Sequence, residues 1–337
     1  MEHVVLTGIG GYIGRHVAAE LLDAGYSVTG TVRSLARADG IRQAIATRAD
    51  TRHLDFAEAD LTSDAAWDEI MQGADGLLHV ASPLQLKDPK DETALIAPAV
   101  EGTTRVLRAA ERTGVRRAVV TSSTLTLFTG RRSGTYGPDS WADVDARIGA
   151  YSRSKTLAEQ ASWRLADSMQ MELVTVLPGF VTGPALGGAS DGESARIVGD
   201  LIGGRFPGIP DFAVGMVDVR DVARLHVEAL RTPDAAGKRL IGSLEDPVPM
   251  AHLAATLRNA GYTKVPTRRL PTPLVRIAGL FDAQARSMHP FVGTRWHVDA
   301  SGTRATVGWS AGPIESGLLE LAGQLAEGAM NRTGVGA

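Results

Sequence analysis

Cysteine is absent from the 337-residue sequence, which excludes disulfides, iron–sulfur clusters, thiolate zinc sites and cysteine nucleophiles. The eight histidines are scattered without metal-ligand spacing, so no metal is expected. No apolar stretch approaches the ~20 residues that cross a bilayer. The opening residues, Met1-Glu2-His3-Val4-Val5-Leu6-Thr7, run straight into a strand pattern with no basic region, apolar segment and cleavage site before it. A soluble cytoplasmic protein with no membrane partner is the expectation. Positive charge is also thin. The net charge is −3, and basic residues come in pairs such as Arg116-Arg117 and Arg268-Arg269 instead of stripes, which argues against a nucleic-acid partner. Internal repeats are missing too.

What is present is the composition of an ordinary globular enzyme, 44% hydrophobic and 22% charged. The first half alternates short β-branched runs with helical patterns, the mark of an α/β fold built on a parallel sheet wound on both sides. Strands are predicted over 3–7, 27–32, 51–57, 76–80, 117–121 and 173–177, and helices over 12–22, 65–71, 93–112 and 151–167. Pro98 falls inside the third helical pattern, so that helix starts near it or kinks there.

After Pro178 glycine and proline accumulate, through Thr182-Gly183-Pro184, Gly187-Gly188, Gly203-Gly204 and Pro207-Gly208-Ile209-Pro210, and a loop-rich segment is expected. Strand-like residues 214–219 and 238–242 flank a helical 221–231, so part of this region returns to the main sheet. The expected division is a nucleotide-binding domain over 1–179, joined again by about 214–242. A smaller carboxy-terminal lobe, 180–213 and 243–330, would face the substrate and carry helices near 250–259 and 313–325. Residues 331–337 are expected to fray.

Thr7-Gly8-Ile9-Gly10-Gly11-Tyr12-Ile13-Gly14 follows a strand and opens a helix, the context that a dinucleotide fingerprint requires. The working spacing is Gly8-x-x-Gly11-x-x-Gly14. Such glycines permit a tight turn, close approach of backbone to pyrophosphate and close packing of helix on strand. The helix start offers N–H groups and partial positive charge to the phosphates. At the end of the second strand stands Thr31-Val32-Arg33-Ser34, with Arg37 one turn on. A planar guanidinium there suits a 2′-phosphate, and no carboxylate stands in that segment, so NADP is expected over NAD.

Tyr151-Ser152-Arg153-Ser154-Lys155 places a phenol and an ammonium on one helix face. The lysine charge favours the phenolate and draws the phenol toward working pH, which suits a proton donor to a carbonyl oxygen. Ser122-Ser123 closes the fifth strand, Ser123 lying 28 residues before the tyrosine, at the carboxyl edge where open parallel sheets bind ligands.

In this order the glycine motif, the strand-end serine and Tyr-x-x-x-Lys resemble the extended short-chain dehydrogenase/reductase superfamily. Further segments are His79-Val80-Ala81-Ser82-Pro83, Asp88-Pro89, Glu101-Gly102-Thr103, Thr121-Ser122-Ser123, Trp141-Ala142-Asp143 and the run from Tyr151 through Thr156-Leu157-Ala158-Glu159-Gln160. These are similar to the branch of dihydroflavonol reductase, cinnamoyl-CoA reductase and microbial aldehyde and ketone reductases. The resemblance covers residues 3–242 well, and the carboxy-terminal lobe only in outline.

The resemblance implies a Rossmann-type fold, an NADP(H) cofactor and reversible reduction of an aldehyde or ketone. Ser123 would polarise the carbonyl, Tyr151 would be the acid in reduction, and Lys155 would lower the tyrosine and hold the nicotinamide ribose. The cofactor set would be Gly8, Gly11, Tyr12, Ile13, Gly14, Arg33, Arg37, Asp60 and Leu61 by the adenine, Val80, Ala81 and Ser82 by the ribose, Thr121, Tyr151 and Lys155, and Pro178 to Val181 beside the nicotinamide. Superfamily habit implies a monomer or homodimer.

Other side chains have two readings. Trp141 either lines the substrate mouth or anchors the loop 128–150. His79 and His226 read as packed structural histidines, and Arg131-Arg132 as solvated. Phe128, Phe180, Phe206, Phe212, Phe281 and Trp296 form either an apolar pocket or core. Two rival functions remain. A sugar-nucleotide epimerase or dehydratase would show Val-Tyr-Gly or Asp-Glu after the serine, where this chain has Thr124-Leu125-Thr126-Leu127-Phe128. A non-catalytic NADP-binding redox sensor would tend to lose the tyrosine.

Overall fold

In the computed structural model, the described residues are 1–83, 91–169, 171–188, 192–280, 289 and 291–334. Asp88-Pro89 and Phe281 lie outside them. The first half runs β1 (His3–Thr7), α1 (Tyr12–Asp23), β2 (Ser27–Val32), α2 (Ala38–Ala46), β3 (Leu54–Glu58), α3 (Trp67–Met71), β4 (Gly76–His79), α4 (Thr93–Arg112) and β5 (Arg117–Thr121). Then come α5 (Leu125–Phe128), β6 (Gly134–Tyr136), α6 (Ala150–Ser168), β7 (Glu172–Pro178), β8 (Phe180–Thr182) and α7 (Glu193–Ile202). Short strands β9 (Ile209–Pro210), β10 (Ala213–Val214) and β11 (Met216–Asp218) lead to α8 (Val219–Arg231) and β12 (Arg239–Gly242).

Seven strands form one parallel sheet in the order β12-β7-β5-β4-β1-β2-β3. The chain begins in the middle, winds outward to β3, then returns through β4 to the other edge. That reversal between β1 and β4 opens a crevice at the carboxyl ends of the strands. Successive residues of a strand face opposite sides. Val4 and Leu6 accordingly pack with Val17, Leu21, Val222 and Leu225 of α1 and α8, while Val5 packs with Trp67, Val106 and Leu107 of α3 and α4. Both faces are covered, which is why these strands read as unbroken apolar runs.

The Rossmann-type doubly wound sheet agrees with expectation, and the differences are local. Helix α4 runs through Pro98 in its second turn. The segment rich in glycine and proline contains α7, whose Ala195, Val198 and Leu201 are buried against Leu318 and Leu321; flanking breakers hid that periodicity. Helix α2 has one buried side in Ile41, Ala44 and Ile45. Of the two strand-like stretches that flank α8, only β12 returns to the main sheet. Met216–Asp218 pairs instead with Phe180–Thr182 in a separate two-stranded sheet. The last helix, Glu315–Gly334, continues past Asn331. Among the described residues no helix is long and apolar enough to cross a membrane.

Candidate active site

The glycine turn is built by contact. Gly8 has φ +76°, and a Cβ there would stand 2.7 Å from the Ala81 nitrogen, so the end of β1 is pressed against the end of β4. A Cβ on Gly14 would stand 2.1 Å from the Gly8 oxygen, which is how α1 comes to rest on its own turn. Gly11 precedes α1 and supplies no side-chain cap, so the first-turn N–H groups are left for a ligand. The Tyr12 phenol turns away and donates to the Gly183 oxygen at 2.6 Å; burial pushes it well above the usual phenol range.

Beside this turn the Thr7 hydroxyl accepts from the Ala81 N–H at 3.1 Å and lies 2.8 Å from His79 Nδ1. Burial, and then the charge of Lys155, pull the His79 imidazole down to about 3, so it stays neutral. Here the packed reading of His79 holds, and it orients Val80-Ala81-Ser82. His226 is packed as well. Its Nδ1 meets the Val222 oxygen at 2.8 Å and its Nε2 the Thr121 hydroxyl at 2.7 Å, and burial lowers it to about 4.

At the far side of the turn Arg33 and Arg37 are exposed at the rim. A carboxylate that local reading of the strand end missed is nearby, because Glu58 pairs with Val32 across β2 and β3. It accepts from the Leu35 N–H at 3.2 Å and does not line the cleft. Asp60 accepts from the hydroxyl and the N–H of Thr62, which hold its carboxyl below the usual range.

The two strand-end serines separate. Ser122 Oγ donates to the buried Glu159 carboxylate at 2.6 Å. Ser123 Oγ accepts from the Leu125 N–H at 3.2 Å, which leaves its own proton to be donated. Tyr151 lies in the first turn of α6, just after Gly149 at φ +78°. Lys155, one turn on, is buried, and its Nζ donates to the Thr121 oxygen at 3.2 Å. Burial draws the ammonium down to about 8, against the pull of Glu159 in the other direction.

Every residue read from the sequence as catalytic or cofactor-binding borders a single cleft of about 1060 Å³. Its other wall is apolar: Phe180, Phe206, Phe212, Val214, Met250 and Phe291. Phe291 carries no local signal and arrives through tertiary packing alone. Phe128 and Trp296 are core instead, stacked at 4.7 Å. Trp141 is an anchor, with the Arg239 guanidinium 3.8 Å over its ring. Among the described residues no group of three or more metal-ligating side chains occurs.

Residues 4–241 match the model of the NAD dependent epimerase/dehydratase family. The chain belongs to that family. This epimerase/dehydratase family member, an extended short-chain dehydrogenase/reductase, is 34% identical over 267 residues to dihydroflavonol 4-reductase of Zea mays, covering 76% of this chain and 73% of that protein. It is 33% identical over 248 residues to the cinnamoyl-CoA reductase CAD2 of Medicago truncatula, covering 71% and 75%. Among solved structures it resembles yeast methylglyoxal/isovaleraldehyde reductase Gre2 complexed with NADPH, with a TM-score of 0.81 and 25% identity over 97% of this chain and 99% of that one.

Proposed function

We propose that this protein is an NADPH-dependent reductase that converts an aldehyde or ketone to an alcohol, reversibly, with Tyr151 as the proton donor. The observation that carries the reading is one lysine. Lys155 is buried beside the cleft, tied to the strand end that bears Ser123 and one helical turn from Tyr151. An ammonium so placed favours the phenolate of its neighbour. Ser123 would donate to the substrate oxygen, and Tyr151 would deliver its proton there as charge develops.

The residues fit the cofactor. The turn closes as tightly as it does because Gly8 and Gly14 carry no Cβ to meet the backbone of Ala81 and Gly8, the helix start beside it is uncapped, and Arg33 and Arg37 at the rim of the cleft would hold a 2′-phosphate. NADPH, when bound, supplies the hydride; the protein orients it and stabilises charge. The names of the relatives support the same reading, since each is a reductase.

For the substrate, the wall of Phe180, Phe206, Phe212, Met250 and Phe291 favours an apolar or aromatic carbonyl compound. Epimerase and dehydratase chemistry is disfavoured because Thr124 to Phe128, the segment after Ser123, brings no carboxylate to the cleft. The test is turnover of NADPH with a panel of aromatic and aliphatic aldehydes and ketones. Tight NADPH binding without consumption of any of them, or of any alcohol with NADP, would favour a binding-only protein.

A further inference from the structure

We infer that the buried Glu159–Arg239 pair is a positioning element of this site, seating the Ser122-Ser123 strand end and balancing the charge around Lys155. Its effect on turnover rests on the reductase reading; its effect on Lys155 does not.

Glu159 follows Lys155 by four residues and shares its face of α6. It is 1% exposed. Its carboxylate accepts from Ser122 Oγ at 2.6 Å, Thr126 Oγ1 at 2.7 Å, Thr175 Oγ1 at 2.9 Å and Arg239 Nε at 2.7 Å. Burial pushes Glu159 up, but the Arg239 charge and these hydroxyls outweigh it, so the carboxyl sits below its ordinary range and is ionised. Arg239 also donates to the Pro138 and Ser140 oxygens at 2.6 Å each and stacks on Trp141. One ion pair therefore joins β5, β7, β12, α6 and the loop that leads into Tyr151.

Lys155 and Glu159 both border a small cavity of about 10 Å³ behind Ser122, with His79 and Thr103. The titratable groups around Lys155 are Tyr151 and Glu159 on its own helix, neutral His79 from β4, neutral His226 from α8 behind Thr121, and Arg239 from β12 behind Glu159. Two cations thus share one buried anion. Removing the carboxylate leaves Lys155 facing Arg239 with nothing between them in charge. Removing the guanidinium leaves the carboxylate to Lys155 alone. The two changes must shift the lysine in opposite directions, which an ion pair electrically remote from Lys155 would not do.

The experiment is an NMR titration of the cofactor-free protein labelled at lysine Cε. The chain has five lysines, and K155R identifies the resonance. The expected midpoint is near 8 in the native protein, lower by about one pH unit or more in E159Q, and higher in R239M. Should E159Q fail to fold, the double variant E159Q/R239M, which removes both members of the pair, carries the test: its midpoint stays near the native one while NADPH turnover falls. A Lys155 midpoint unmoved by E159Q, moved the same way by both single changes, or lost with the double variant, overturns the inference. Y151F, assayed alongside, separates the two claims. Full activity in Y151F defeats the reductase reading and leaves the titration result standing; an inactive Y151F with an indifferent Lys155 defeats only the positioning role.

Discussion

The Lys155 ammonium donates to the Thr121 carbonyl oxygen at 3.2 Å, across 34 residues of sequence. That bond ties α6 to the carboxyl end of β5. It sets the phenol-bearing turn beside the hydroxyl-bearing strand end, and it accounts for a buried lysine that keeps a hydrogen-bond partner.

Y151F should lower turnover by about 10²- to 10⁴-fold, the usual worth of a positioned proton donor. NADPH affinity, measured by quenching of protein fluorescence, should stay close to native. Undiminished reduction by this variant would remove Tyr151 from the reaction.

R33A should weaken NADPH about tenfold or more, since a hydrogen bond to a charged group is worth ~1.5–3 kcal/mol. NADH should be little affected. Equal losses for the two nucleotides would show that Arg33 does not meet a 2′-phosphate.

The serines should part company. S123A should cut kcat while leaving the melting temperature near native. S122A removes a donor from the buried Glu159 carboxylate and should cost about 1–3 kcal/mol of stability. Thermal melts and steady-state kinetics on both variants check the assignment, and the reverse pattern would overturn it.

G14A should abolish nucleotide binding, because the added Cβ would stand 2.1 Å from the Gly8 oxygen and the helix would have to move off its turn. An isothermal titration with NADPH reads this directly. Native affinity in G14A would mean that the turn is not the cradle.

Acid should weaken the fold before its carboxylates titrate. His79 and His226 are buried and neutral, with values near 3 and 4 against 6.5 for an exposed imidazole. Between those values the unfolded chain binds more protons, so stability is full above 6.5 and falls as pH drops, by about 1.4 kcal/mol per unit for each group. Melting temperatures between pH 7 and 4.5 should show the slope, and H226Q should flatten it.

The fold was legible where periodicity is local and strong. His3–Thr7, Ser27–Val32, Thr93–Arg112 and Arg117–Thr121 form the elements that their residues predict. It was hidden at Glu193–Ile202, where flanking glycines mask a helix that its burial against Leu318 and Leu321 supports. At Met216–Asp218 the strand pattern was visible, but nothing local could tell which sheet it joins. The same division holds for the site. Gly8, Gly14, Tyr151 and Lys155, which line the cleft, stand at fixed short spacings and so announce themselves. Phe291, Glu58 and Arg239 act across the fold and do not.

By itself the sequence determined the alternation of strand and helix behind the doubly wound sheet, the glycine turn and the Tyr-x-x-x-Lys face, because each is read from residues within one or two turns of each other. Only the tertiary structure decided that Ser122 donates to Glu159, that Phe128 and Trp296 are core, and that Trp141 anchors a loop. Those outcomes depend on which distant surface each side chain meets, and contacts between distant segments are set by packing of the whole chain.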